Sequence, residues 1–137
     1  MITAIRKYFM DFPHLDEYGR LNIDWLGQEP VEYMIEVIPG NPVVKTYTDG
    51  AQEKQLNFNF VSVETYGSDY SQNAQNIKFY ELLEKWIKDN NRNGVLPDFG
   101  EEKEALKINV KSNGYVLDGD TTMARYQIQL SLNYIEY

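Results

Sequence analysis

The single histidine, His14, stands between Pro13 and Leu15. Imidazole titrates near neutral pH and is the usual general base and metal ligand, so acid–base or zinc chemistry in this chain would have to start from it. The chain has no cysteine, and one histidine without thiolates makes no zinc site. A structural or solvated His14 is the expectation. No serine stands in a Gly-x-Ser-x-Gly elbow and no glycine run matches a phosphate-binding pattern, which disfavours nucleotide chemistry. Asp118-Gly119-Asp120 opens like a calcium loop, but Met123 occupies the sixth position where glycine is needed, and Gln129 the twelfth where glutamate is needed. It reads as a turn joining two strands. Asp16 with Glu17, and Glu101 with Glu102, are sequence neighbours in expected loops and read as solvated charge. The expectation is a non-enzymatic protein with no catalytic residue, no cofactor and no metal.

Thirteen basic residues against 21 acidic ones give a formal net charge of −8. That balance repels a phosphate backbone, so sequence-specific nucleic-acid binding is not expected, whereas an acidic wall past which DNA slides would need this sign. The absence of cysteine matches a reducing compartment. Arg6 and Lys7 interrupt the first apolar residues, and no later stretch reaches the apolar length of a membrane span. The tyrosines, 11 in number, either line a half-buried sheet or serve a protein interface, where the rigid amphipathic ring buries area at low entropic cost.

These residues must be positioned by one domain, 1–137, since no internal repeat and no linker divides the chain. Ile2, Ile5, Phe9 and Phe12 predict a short amphipathic helix over Thr3–Phe12, stopped by Pro13. Leu21, Ile23 and Trp25 alternate in a short strand. Glu32–Ile38 is too continuously apolar to leave one face in water and is expected to be covered on both sides. Val43–Thr48 leads through Asp49-Gly50, a hairpin signal, into a strand over Lys54–Tyr66. Its apolar set shifts from Leu56, Phe58 and Phe60 to Val61 and Val63, which predicts a bulge near Phe60. A long helix follows, N-capped by Ser68 or Asp69, with Ile77, Tyr80, Leu83 and Ile87 as its buried face, widened by Phe79, Leu82 and Trp86. It ends at Asn93-Gly94. Leu106, Ile108 and Val110 then alternate with polar residues, and Asn113-Gly114 predicts another hairpin. The last strand places Ala124, Tyr126, Ile128, Leu130, Leu132 and Tyr134 on one face.

The predicted class is α+β: a mostly antiparallel sheet of about four to six strands with two main helices packed on one face. The opposite face of the last strand carries Gln127, Gln129, Ser131 and Asn133. Neutral groups lose water at lower cost than charges, so these four residues are candidates for a subunit interface.

The opening MITAIRKYFMDFPHLDE, the stretch DWLGQEPVEYMIEVIPGNPVVKTYTDG, the helix with its exit FYELLEKWIKDNNRNGVLPDF, and the ending NGYVLDGDTTMARYQIQLSLNY together resemble the tail-terminator, or tail-completion, proteins of siphophages and prophages of Gram-positive bacteria. The resemblance covers nearly the whole chain and rests on the number and order of fold and turn residues. Some members carry a chloramphenicol-resistance or minor-capsid label; the resistance acetyltransferase uses a doubled-histidine motif, whereas His14 is followed by Leu15 and Asp16. The resemblance implies a ring, commonly a hexamer, that caps the tail tube and receives the filled head. Its implied partners are further copies of the chain, the tail-tube protein, a head-completion or connector protein, and DNA passing through without specific binding. The implied locations are the host bacterial cytoplasm during assembly and then the virion tail. Asp49 and Gly50 would form an arm reaching a neighbouring subunit, because a ring joins two different patches. The alternatives are another head-tail connector, head-completion or minor capsid component, or, in a different class, a small-molecule-binding or enzymatic domain with a pocket between sheet and helix.

Overall fold

The computed structural model describes residues 1–15, 20–23, 32–40, 42–65, 70–112, 114–119 and 123–137. In chain order the elements are α1 (Ile2–Met10), β1 (Arg20–Ile23), β2 (Glu32–Val37), β3 (Val43–Thr46), β4 (Gln52–Thr65), α2 (Tyr70–Asn93), β5 (Lys103–Val110), β6 (Tyr115–Gly119) and β7 (Met123–Glu136). The class is α+β, and among the described residues every strand pairing is antiparallel except that of β1 on β2.

Two long strands form the spine. β4 and β7 pair along their full lengths, from Gln52 opposite Glu136 to Thr65 opposite Met123. At a rise of roughly 3.3 Å per residue the spine is roughly 45 Å long. Two shorter strands lie end to end along each outer flank: β2 and β3 beside β4, and β5 and β6 beside β7. The sheet therefore counts seven strands among the described residues, while its longest path is β1-β2-β4-β7-β5. The path of five agrees with the expected four to six, and β3 and β6 stand off it because each flanking strand is broken once.

Both breaks have local causes. Proline has no N–H for the ladder, and Pro39 and Pro42 bracket the first break, where Gly40 adopts φ 100°. Pairing runs up to both sides of the break, with the Ile38 N–H donating to Asn57 O at 3.0 Å before it and the Gln55 N–H to Pro42 O at 3.1 Å after it. The second break corrects the hairpin expected at Asn113-Gly114. β5 and β6 do not pair with each other but run in the same direction along β7. Gly114 backs directly onto Tyr80, where a side-chain carbon would overlap the Cβ, Cγ and Cδ1 of that residue. The glycine there answers a close approach and not a turn.

Both helices lie on one face. Phe9 of α1 meets Phe58 and Phe60 of β4, and Tyr80 of α2 meets Phe60 and Tyr126. Trp86 joins the helices, with ring centroids 4.8 Å from Tyr8 and 5.2 Å from Phe12. The buried positions Ile5, Tyr8, Phe9 and Phe12 follow helical spacing. On α2 the buried stripe is Tyr80, Leu83 and Ile87, whereas Ile77, expected beside them, is 49% exposed. The helix ends at Gly94, φ 73°, after which the Val95 N–H donates back to Asn90 O at 2.9 Å. The expected cap at Ser68 or Asp69 lies outside the described residues, as does Trp25.

No bulge occurs near Phe60: β4 pairs without register shift both to β2 and to β7 through that point. Phe58, Phe60 and Ser62 stay on the helix side, and Val61 and Val63 lie on the opposite face, buried there with Met34. Both faces of the sheet are buried at this end, as expected for β2, and an apolar residue on each face mimics a change of phase.

Two stretches of the chain share an order of elements. Each runs from a helix into a long hairpin: α1 then β2/β3–β4, and α2 then β5/β6–β7. Leu56-Asn57-Phe58-Asn59-Phe60 and Tyr126-Gln127-Ile128-Gln129-Leu130 occupy matching places on either side of the Asn59–Gln129 pair. The shared feature is alternation of apolar and amide residues, without identity.

Candidate functional site

Cross-strand neighbours share a face, so the face of the spine away from the helices is set by register. Across its centre run Gln55, Asn57 and Asn59 from β4, Gln129, Ser131 and Asn133 from β7, and Asn109 from β5. Amides at cross-strand distance can donate and accept at once, and they form a lattice here. Ser131 Oγ accepts from Gln55 Nε2 and from Asn109 Nδ2, both at 3.4 Å. Asn109 Nδ2 also donates to Asn133 Oδ1 at 3.3 Å, and Asn133 Nδ2 donates to Glu53 Oε2 at 3.1 Å. At the margins Asn59 Nδ2 donates to Glu36 Oε1 at 3.0 Å and Lys111 Nζ to Asn57 Oδ1 at 3.1 Å. The buried Asn59 Oδ1 has no hydrogen-bond partner among the described residues, a condition that native structures seldom leave uncorrected.

The candidate interface residues separate on this geometry. Gln129 is exposed and Asn133 is half-buried. Gln127 is only 6% exposed and Ser131 only 1%, which corrects the reading of both as surface groups; Ser131 is held between the Gln55 and Asn109 side chains that donate to it. Asp49 and Gly50 are exposed, in a tight turn where Asp49 Oδ1 accepts from the Ala51 N–H at 3.0 Å and Gly50 takes φ 93°. Because β4 is paired to β7 from Gln52 onward, only the turn itself projects beyond the spine. Tyrosine serves the core first, since Tyr8, Tyr33, Tyr80, Tyr126 and Tyr134 are all buried. The phenol of Tyr80 is bound to Ser62 Oγ at 2.5 Å and donates to Tyr126 O at 3.1 Å.

The borders of the sheet are treated unequally. On β5 the Asn91 carboxamide of α2 takes the place of a neighbouring strand: its Nδ2 donates to Ile108 O at 2.7 Å, and its Oδ1 accepts from the Ile108 N–H at 3.1 Å. On β1, Arg6 Nε of α1 donates to Leu21 O at 2.8 Å. Sequence reasoning did not find these contacts, which join residues far apart in the chain and carry no periodic signal. Among the described residues β3 pairs with β4 alone, and all four of its residues are exposed.

The side chains bearing on chemistry lie apart. His14 is exposed and packs edge-on against Phe12, ring centroids 5.5 Å apart. Asp118 and Gly119 close β6, and Asp120 lies outside the described residues, as do Asp16 and Glu17. Among the described residues no group of three or more His, Asp or Glu side chains is placed to hold a metal, and no helix is long and apolar enough to cross a membrane. Among the described residues Ile5, Phe9, Phe58, Phe60, Leu83 and Ile87 belong to one buried cluster. A cleft of about 480 Å³ separates α1 from the turn after α2, lined by Lys7, Tyr8, Asp11, Val95, Asp98 and Phe99 among others. Burial pushes the Tyr8 phenol above its ordinary pKa, while the hydrogen bond from Asn90 Nδ2 at 3.1 Å pulls it down. No protein-family model matches the chain, and no curated protein matches it in sequence.

Proposed function

We propose that the chain is a structural, non-enzymatic protein of a phage or prophage tail, closing into a ring on the tail tube and offering the surface that joins tail to head. Its partners on this reading are other copies of itself, the tail-tube protein and a head-completion or connector protein. The observation that carries the reading is the amide lattice on the face of the spine away from the helices. A paired sheet fixes its side chains on a stiff surface, and neutral amides exchange water for a protein partner at lower cost than charges do. The resemblance of the sequence to tail-terminator proteins supplies the context, and the net charge of −8 suits a lumen through which DNA must slide without sticking.

The test is the mass of the purified protein by light scattering across a concentration series, with and without the candidate tail-tube protein, followed by electron microscopy. Rings, alone or on tube ends, are the expected result. A protein that stays monomeric and ignores the tube, or that locates to the host-proximal end of mature tails, overturns the reading.

A further inference from the structure

Resting on the ring reading above, we infer which two patches meet in it: the outward stripe of α2 on one copy lies along the amide face of the next. A ring needs two different, complementary patches. The first is a row of cations. Lys78, Lys85 and Arg92 recur at about two helical turns and so project from one side of α2, opposite the buried Tyr80, Leu83 and Ile87. All three are exposed, and none makes an ion pair or hydrogen bond among the described residues, whereas Lys88 beside them is held by Glu84 at 3.2 Å. Glu81 is the exposed acid among them. The second patch is a pair of carboxylates at the border of the amide lattice. Glu36 and Glu53 share that face, and each is oriented by an amide: Glu36 Oε1 accepts from Asn59 Nδ2 at 3.0 Å, and Glu53 Oε2 from Asn133 Nδ2 at 3.1 Å. The second oxygen of each accepts from no described residue.

The two patches match in length. Glu36 stands opposite Asn59, and from Asn59 back along β4 to Glu53 is roughly 20 Å at the rise of a strand. Lys78 to Arg92 is roughly 21 Å at the rise of a helix. Laid along that line, the helix sets a cation on each carboxylate and Lys85 over the amides between them, whose carbonyl oxygens accept from an ammonium. An exposed isoleucine stands near one end of each line, Ile77 beside Lys78 and Ile38 beyond Glu36, which places Lys78 on Glu36 and Arg92 on Glu53. At the Asn59 row the line runs over β2, two strands from Gln129, so a carboxylate introduced at Gln129 gains no partner from the stripe. Copies of net charge −8 repel at long range. Within the contact the sign reverses, and opposite charges a few ångströms apart outweigh a repulsion that salt screens beyond about 8 Å. An acidic partner of another kind would need the same pair of carboxylates at the same spacing, which this chain itself presents.

A charge swap between copies of the full chain tests the contact, read by sedimentation and electron microscopy with and without the candidate tail-tube protein. Arg92→Glu and Glu53→Lys should each weaken association roughly tenfold or more, with the fold unchanged by circular dichroism. Mixed in equal amounts the two variants should associate again, since each then meets an opposite charge on the other. In the parent chain, amine labelling of Lys78 and Lys85 should fall on assembly, a readout that needs no variant. Association that Arg92→Glu leaves intact, a mixture that stays dissociated, or lysines labelled equally before and after assembly overturns the contact, and parental rings seen alongside any of these leave the ring reading standing. Open filaments that obey the charge swap uphold the contact and refute closure of the ring. A chain monomeric with and without the tube overturns both.

Discussion

Removing the Asn91 side chain tests whether one helix residue seals the flank of the sheet. In Asn91→Ala the two hydrogen bonds to Ile108, 2.7 and 3.1 Å, are lost together. At about 0.5–1.5 kcal/mol net each, they account for about 1–3 kcal/mol. Alanine returns about half a kcal/mol through its higher helix propensity. A net loss of about 0.5–2.5 kcal/mol is therefore expected, read as a lower urea midpoint at unchanged slope. Asn91→Asp sharpens the test. The introduced carboxylate can still accept from the Ile108 N–H but turns a second oxygen toward the Ile108 carbonyl, and only the protonated acid can donate there. The folded state thus prefers the proton and raises the pKa of the introduced carboxyl above the unfolded value of about 3.9. Stability of this variant should be near that of the parent below the unfolded pKa and fall as pH rises through the folded one. Above that window it should be no better than alanine. If Asn91→Ala keeps the parental urea midpoint and the Ile108 amide exchanges no faster, the carboxamide does not seal this edge.

Further substitutions probe other contacts. Gly114→Ala forces a methyl onto Tyr80, whose ring cannot retreat while its hydroxyl is held by Ser62 and Tyr126; a loss of about 1–3 kcal/mol is expected in thermal unfolding, and a neutral outcome would mean that the backbone at Gly114 shifts freely. Leu130→Asp buries an unpaired carboxylate opposite Phe58, at a cost of several kcal/mol that should abolish the native near-ultraviolet signal. Gln129→Asp on the exposed adjacent position should leave that signal intact and weaken ring formation; the reverse pattern for the two variants would refute the assigned faces. In a tyrosinate absorbance titration Tyr8 should ionise above the ordinary tyrosine range, because its burial outweighs the Asn90 hydrogen bond. The stability Tyr8 contributes is full below the unfolded pKa and is lost as pH climbs through the raised folded value, and Tyr8→Phe should remove that part of the alkaline loss.

The strand carrying Leu130 was legible because a single buried face imposes a strict two-residue period. The exit of α2 was legible because Gly94 must adopt a left-handed conformation that few other residues tolerate. Three features were not. Val61 and Val63 looked like a slipped register because periodicity cannot separate a phase change from burial on both faces. Gly114 looked like a turn residue because a glycine required by a side chain of α2 has the same local signature as one required by φ. Gln127 and Ser131 looked exposed because polarity alone does not decide burial in the middle of a paired sheet. The lattice itself was half visible, as alternating amides on β7, but its other half lies on β4 and β5, and only the pairing brings the three together.

The pairing of β4 with β7 also bears on how the chain reaches its native state. Each hairpin closes over a few residues, but joining them brings together positions such as Lys54 and Glu136, 82 residues apart. Loop closure of that length must be met before the contacts it creates can repay it, which slows folding in proportion to non-local pairing. The two helix-and-hairpin halves should therefore form early, with their association along the spine as the slow step. Until that step the long inner edges of β4 and β7 stand open, and a nascent chain is then most prone to pair with the wrong copy.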